Sequence, residues 1–133
     1  MKRILVAYDG EPPARRALDT AAEIARGHDA AITVVSVVPF RLGRDPDEAW
    51  QDQADHSVVL EEAVKILAEQ GIAATMLEPW GDPAAMIERV AEEGDYDTII
   101  VGSRSLGAVA RLLKGSVSEH VATHADATVV IAR

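Results

Sequence analysis

The sequence predicts an α/β fold, an open doubly wound five-stranded parallel sheet with helices on both faces. Five short apolar runs recur along the chain, and most are continuous rather than alternating, as in strands that are buried on both faces. Helical patterns separate these runs, and strands that alternate with helices require right-handed crossovers in one sheet. The length of 133 residues suits one domain. We therefore predict a single domain over residues 1–133.

The predicted strands are short and rich in β-branched residues. They span Ile4–Tyr8, Ile32–Val38, Ile72–Leu77, Thr98–Val101 and Thr128–Ala132. The last of them contains no charged residue that would block pairing with another strand, and a strand at the edge of a sheet exposes unpaired backbone groups.

Apolar residues at helical spacing predict the helices between these strands. A first stripe, which Gly27 is predicted to end, comprises Ala14, Ala17, Leu18, Ala21 and Ala25. A second stripe, which ends at Gly71, comprises Val59, Ala63, Ile66 and Leu67. Asp82 and Pro83 predict the cap and first turn of a third helix, which ends at Gly94. The capping box Ser116–Glu119 predicts a last helix that runs to about His124.

Residues 40–56 (FRLGRDPDEAWQDQADH) are polar and include one proline and one glycine. Such a segment is expected to be a mobile loop or the frayed start of a helix, and it is suitably placed for a lid.

The composition restricts the classes of partner. A formal net charge of −9 disfavours binding to nucleic acid and to anionic membranes. The absence of cysteine excludes disulfides, thiolate metal sites and a cysteine nucleophile. No apolar run approaches the length of a membrane span, and the first residues contain too few apolar side chains for the core of a signal peptide. We predict a cytoplasmic protein with neither a nucleic-acid nor a membrane partner.

Residues 101–116 (VGSRSLGAVARLLKGS) are basic in an otherwise acidic chain. They include Arg104, Arg111 and Lys114, three glycines and no Asp or Glu. Glycine lets backbone N–H groups approach a ligand, and the amino end of the following helix offers free donors and a positive dipole end. These features predict a phosphate site. The same residues also fit a plain capping box and the solvated face of a short helix, and residue chemistry alone leaves both interpretations open.

Four segments carry a recognisable pattern: ILVAYDG, ITVVSVV, GDPAAMIERVAEEGDYDTIIVGSRS and GSVSEHVATHADATVVIA. Together they resemble the universal stress protein family over nearly the whole chain. The ATP-binding branch of that family carries the motif Gly-x2-Gly-x9-Gly-Ser/Thr, in which x is any residue. Gly102, Gly115 and Ser116 match this motif at the expected spacing. Ser105 stands where the second glycine of this motif is expected.

The resemblance implies a Rossmann-like fold of the adenine nucleotide alpha hydrolase type, with ATP and Mg²⁺ at the carboxyl edge of the sheet. It also implies that Gly102 and Gly115 admit the phosphates and that Asp9 faces the adenine or ribose. The further implied contacts are Val37 through its backbone, Val101 beside Gly102, and Arg104, Ser105, Ser116 and Ser118 on phosphate or ribose. Asp9 equally suits a helix cap, and both valines suit the core.

The sequence shows no general acid–base pair and no nucleophile elbow, so we predict at most slow hydrolysis of ATP. His120 and His124 are four residues apart on the predicted last helix, but no third ligand accompanies them. We therefore predict no metal site made by protein side chains alone.

The resemblance implies a stress-response regulator that forms a homodimer through Thr128–Ala132 and signals to protein partners of unknown identity. The competing hypothesis is a homodimeric interaction protein that has lost nucleotide binding through Ser105. A serine costs about 1 kcal/mol where the backbone requires a positive φ, and its Cβ would crowd the ligand. A third hypothesis is an enzyme that consumes ATP.

Overall fold

The structure is a computed structural model that describes residues 3–39, 46–102 and 128–132. Its strands are β1 (Arg3–Ala7), β2 (Ala31–Val35), β3 (Val38–Pro39), β4 (Ala74–Leu77), β5 (Trp80–Gly81), β6 (Thr98–Gly102) and β7 (Thr128–Ala132). The helices within these ranges are α1 (Pro12–His28), α2 (Pro46–Glu69) and α3 (Pro83–Glu93).

The main sheet has five parallel strands in the order β4-β2-β1-β6-β7, which confirms the predicted sheet. β3 and β5 pair as a small parallel extension of two strands. The chain moves outward from β1 to β4 and then returns to β6, so the strand order reverses between β1 and β6. In open α/β sheets, ligands bind in the crevice at the carboxyl ends of the strands beside such a reversal.

Helices cover both faces of the sheet, and each face has its own core. α1 and α2 pack on the face that buries Ile4, Val6, Ile32, Val34 and Ile100. α3 packs on the face that buries Leu5, Val35, Val37, Ile99 and Val101. Successive residues of the strands therefore bury their side chains on opposite faces of the sheet, which is why their sequences are continuous apolar runs. None of the helices in the described ranges combines the length and apolar character needed to cross a membrane.

Several predicted boundaries differ from the structure, three of them in ways that change an element. α1 continues through Gly27 to His28, and Asp29 closes it in the left-handed conformation with φ of 51°. Within the segment predicted as a loop or frayed start, residues 46–56 belong to α2, because Pro46 suits a first helical position and Asp47 and Glu48 suit the positive end of the helix. The predicted strand Ile32–Val38 is interrupted after Val35. The predicted last helix lies outside the described residues.

Candidate functional site

The turn after β1 places Asp9 at the carboxyl edge of the sheet. Gly10 has φ of 84°, and a Cβ added to it would lie 3.5 Å from the Val59 side chain of α2. The Asp9 Oδ1 atom accepts a hydrogen bond of 2.9 Å from the Glu11 N–H. Glu11 caps α1 without a side-chain cap bond of its own. The alternative that Asp9 caps α1 is therefore wrong, because Glu11 is the N-cap; Asp9 instead accepts a hydrogen bond from that residue, and its side chain stays exposed at the edge of the sheet.

The amino end of α1 is poor in hydrogen-bond donors. Pro12 and Pro13 occupy its first two positions, and proline has no backbone N–H. The Glu11 N–H is bonded to Asp9, and the Arg15 N–H donates to the Glu11 carbonyl at 3.0 Å. Glu11 also adds a negative charge at this end. The amino end of α1 therefore offers few backbone donors to an anionic group.

The backbone of Val37 points toward the space beyond the end of β1. In extended chain, successive residues direct their N–H and C=O groups to opposite sides. The Ser36 and Val38 N–H groups donate to the carbonyls of Leu77 and Pro79 on the β4 side, at 3.1 Å and 2.8 Å. The Val35 carbonyl accepts from the Tyr8 N–H on the β1 side at 3.0 Å. Val37 follows the same alternation, so its N–H and C=O face the β1 side, where the chain has already turned away at Gly10.

The Val37 side chain is buried in the core under α3, with only 9% of its surface exposed. The predicted core role and the predicted backbone contact are therefore compatible in one residue. Val101 is also a core valine, with 1% exposure on the same face.

Gly102 lies against the first turn of α1. A Cβ added to it would lie 2.5 Å from the Pro13 carbonyl carbon, 2.6 Å from the Pro13 oxygen and 2.7 Å from the Ala14 nitrogen. Real Cβ atoms do not approach backbone this closely, and a backbone neighbour cannot rotate away. Gly102 is thus required for packing between β6 and α1, a role that the motif did not predict. The other predicted contacts, at Arg104, Ser105, Gly115, Ser116 and Ser118, lie outside the described residues.

Tyr8 is a residue of this edge that the sequence analysis did not single out. It is buried among α1 and α2 directly before Asp9. Burial raises the pKa of its hydroxyl above the usual 10.0, the carboxylates of Glu62, Asp9 and Asp19 raise it further, and Arg15 lowers it. The sequence did contain a signal for Tyr8: it is a hydroxyl-bearing residue at the end of an apolar run, immediately before the turn at Asp9 and Gly10.

The raised pKa of Tyr8 predicts a loss of stability at alkaline pH. The unfolded chain releases this proton near its ordinary pKa while the folded chain retains it, so the contribution is present below about pH 10 and is lost as the pH rises through the folded pKa. Tyr8→Phe should therefore flatten the decline in unfolding free energy between about pH 9 and pH 11. In an ultraviolet titration of tyrosinate, the wild type should show ionisation above the usual tyrosine range, and Tyr8→Phe should remove it. If Tyr8→Phe leaves this late ionisation unchanged, the prediction is contradicted.

Among the residues that the structure describes, no group of three or more His, Asp or Glu side chains is arranged to hold a metal ion. His120 and His124 lie outside those ranges, so the structure does not test the pair.

The similarity of the chain to known proteins extends over its whole length. The model of the universal stress protein family matches residues 1–133. The chain belongs to the universal stress protein family. This confirms the resemblance on which the predicted nucleotide contacts depend.

Individual universal stress proteins agree in sequence and in fold. SH1215 of Staphylococcus haemolyticus, assigned to the same family, is 31% identical over 140 residues, which cover 99% of this chain and 84% of the relative. A universal stress protein of Archaeoglobus fulgidus, solved in complex with dAMP, is 29% identical in sequence and has a TM-score of 0.73. The match covers 100% of this chain and 98% of the Archaeoglobus chain. A protein of the same family from Burkholderia pseudomallei is 29% identical with a TM-score of 0.72, and the match covers 98% of this chain and 94% of the Burkholderia chain.

Proposed function

We propose that this universal stress protein binds an adenine nucleotide, ATP with Mg²⁺, at the carboxyl edge of its sheet and acts as a cytoplasmic stress-response regulator. The observation that carries the proposal is the direction of the Val37 backbone, which presents a donor and an acceptor beyond the end of β1, on the side where Asp9 follows Tyr8. The dAMP complex of the Archaeoglobus fulgidus relative supports the same class of ligand.

The pair of groups on Val37 matches the hydrogen-bonding edge of adenine. The carbonyl accepts from the exocyclic amine of adenine, and the N–H donates to the neighbouring ring nitrogen. Guanine reverses both groups, because it carries a carbonyl in place of the amine and a protonated ring nitrogen. A site of this kind favours adenine over guanine.

The charge at the edge orients the rest of the nucleotide. Asp9 and Glu11 make the β1 side acidic, and the two prolines remove donors from the amino end of α1. The triphosphate is therefore directed away from α1 toward the basic stretch that follows Gly102, which includes Arg104 and Ser116. Mg²⁺ is proposed to enter with the nucleotide, held by its phosphates and by water, as is usual for this ion. Any hydrolysis is proposed to be slow, because the sequence shows no general acid–base pair.

Calorimetric titration with a series of nucleotides tests the proposal. ATP should bind, and the analogue whose purine lacks the exocyclic amine should bind about tenfold more weakly, since one buried hydrogen bond is lost. GTP should bind more weakly still. Changing the ligand leaves the protein intact, so a folding defect cannot imitate the result.

Ser105→Gly is the matched variant for the competing hypothesis of a lost site. If the wild-type protein retains no ATP at millimolar concentration while Ser105→Gly gains binding, the site has degenerated. If neither protein binds any adenine nucleotide, the proposal is wrong.

We also propose that two copies associate through β7, the strand at one edge of the sheet. The Thr128 N–H is bonded to the Asp97 carbonyl at 2.8 Å, which turns the backbone groups of Val129 and Ile131 outward. Within the described residues these groups face no other strand, and we propose that they pair across a two-fold axis.

A further inference from the structure

The backbone that is proposed to recognise adenine lies in a gap between two strands. β2 ends at Val35 and β3 begins at Val38, so Val37 belongs to neither strand. On the β1 side, the bond from the Tyr8 N–H to the Val35 carbonyl is the last one before this gap within the described residues. The direction of the Val37 backbone is therefore not fixed by β1.

The support for Val37 comes from the β4 side of the gap. The Ser36 N–H donates to the Leu77 carbonyl at 3.1 Å, and the Val38 N–H donates to the Pro79 carbonyl at 2.8 Å. These two bonds hold the residues on either side of Val37. A hydrogen bond weakens steeply as its angle departs from linear. A rotation of either neighbour would therefore weaken the proposed bonds from Val37 to adenine.

The short β3–β5 pair continues this support beyond the gap. Val38 pairs with Trp80 and Pro39 pairs with Gly81 in parallel register. Each strand of the pair is only two residues long, so the position of the pair depends on what packs against it. Gly81 leads directly into Asp82, the N-cap of α3. The junction between β5 and α3 therefore bears on the pair.

Gly81 meets two conditions at this junction that favour glycine. Its φ is 151°, a conformation that residues with a side chain rarely adopt. A Cβ at this position would lie 2.8 Å from Met86 Cγ and 3.0 Å from Met86 Sδ, in the first turn of α3. The lack of a side chain at Gly81 therefore lets β5 close against α3.

An overlap at Gly81 could be relieved in two ways, and both reach Val37. If β5 moves away from α3, it moves β3 and the acceptor of the Val38 N–H with it. If Met86 turns away instead, it disturbs the core cluster against which it packs, and that cluster contains the Val37 side chain. The effect on Val37 therefore does not depend on which neighbour yields.

We propose that Gly81 is a positioning residue for adenine recognition, which acts through the β3–β5 pair on the backbone direction of Val37. This inference rests on the proposed nucleotide function and extends it to a residue that acts through its neighbours. With glycine at position 81, the N–H and C=O of Val37 are aligned before the ligand arrives, so less binding energy is lost in ordering them.

Gly81→Ala tests the proposal through selectivity, measured by calorimetric titration. The wild type should prefer ATP about tenfold over the triphosphate whose purine lacks the exocyclic amine. In Gly81→Ala this preference should fall below about threefold, because the Val37 carbonyl is turned away from the amine. The ratio of ATP to AMP affinity reports the phosphate contacts and should stay unchanged. A merely structural role of Gly81 would leave both ratios as they are.

Gly71→Ala is the matched control for backbone strain. Gly71 also has a positive φ, 78°, and a Cβ there would meet nothing within 4 Å. It lies between α2 and β4, at the opposite end of that strand. Its substitution should lower stability through the same unfavourable conformation, and it should leave the preference for ATP at about tenfold.

Val38→Pro tests the same route if Gly81→Ala does not fold. It removes the N–H that donates to the Pro79 carbonyl and keeps both groups of Val37, and the preference for ATP should again fall below about threefold. An unchanged preference in Val38→Pro or in folded Gly81→Ala, or an equal loss in Gly71→Ala, would overturn the inference and leave the nucleotide site intact. Failure of the wild type to bind any adenine nucleotide would refute the proposed function and the positioning role together.

Discussion

Gly102→Ala is expected to lower the free energy of unfolding by about 3 kcal/mol, because the new methyl group would overlap the backbone of α1. The obstructing atoms are the Pro13 carbonyl group and the Ala14 nitrogen, at 2.5 to 2.7 Å. They belong to a helix whose buried face, including Ala14, Ala17 and Leu18, is held in the core. Relief therefore requires a shift of the helix or of the end of β6. Chemical denaturation measures the loss.

Gly27→Ala is the matched control for this substitution. A Cβ at Gly27 would meet nothing within 4 Å, and the residue lies inside α1. Alanine is preferred over glycine in a helix by about 1 kcal/mol, so this variant should be at least as stable as the wild type. If Gly102→Ala instead unfolds like the wild type and only loses nucleotide, Gly102 serves the ligand alone and the packing role is wrong.

Asp97→Ala should cost about 2–4 kcal/mol, because it leaves two donors without their acceptor. The Asp97 carboxylate accepts from the Arg3 N–H at 3.0 Å and from the Thr98 hydroxyl at 2.8 Å. Thr98 is fully buried, so its hydroxyl has no water to replace the lost partner. Thermal and chemical unfolding of the variant measure the cost.

The Asp97 side chain lies within a larger cluster at the amino end of the sheet. The Asp97 backbone exchanges further bonds with Arg3 and Thr128, at 3.1 Å and 2.8 Å. The Arg3 guanidinium donates to the Gly94 carbonyl at 2.9 Å and lies 4.8 Å from the centre of the Tyr96 ring. The Tyr96 hydroxyl in turn donates to the Thr33 hydroxyl at 2.8 Å. The cluster therefore ties together β1, β2, β6 and β7.

Two variants separate this explanation from a general effect of charge. Asp95→Asn removes a nearby exposed carboxylate and keeps a residue type that tolerates the left-handed φ of 51°, so it should change stability little. Adding Thr98→Val to Asp97→Ala removes the stranded hydroxyl and should recover about 1 kcal/mol. Equal losses from Asp95→Asn and Asp97→Ala would contradict the explanation.

Local features of the fold were readable from the sequence. The cap of α3 is an example, since Asp82 accepts the Ala85 N–H at 3.0 Å and Pro83 begins the helix. The stripe that predicts α1 is the buried face of that helix. Each of these features depends on residues within a few positions of one another. The sequence left the start of α2 open between a loop and a frayed helix start, because these first turns carry no apolar stripe.

The candidate site was readable only in part. Asp9 lies directly after β1, but it accepts a hydrogen bond from the capping residue Glu11 instead of capping α1 itself, and its contact with a nucleotide stays a prediction. Val37 was placed in the core correctly by its side chain, whereas the direction of its backbone follows from bonds to Tyr8, Leu77 and Pro79 on two other strands.

By itself, the amino-acid sequence determined the α/β class, the parallel sheet and the family, because periodicity, caps and motif spacing are local properties of the chain. Only the tertiary structure decided that position 102 must be a glycine because the Pro13 backbone lies against it, and that the Asp97 carboxylate accepts the Arg3 N–H. These properties depend on which distant segments pack together. Close approach and hydrogen-bond direction arise in that packing and leave no periodic signal in either segment.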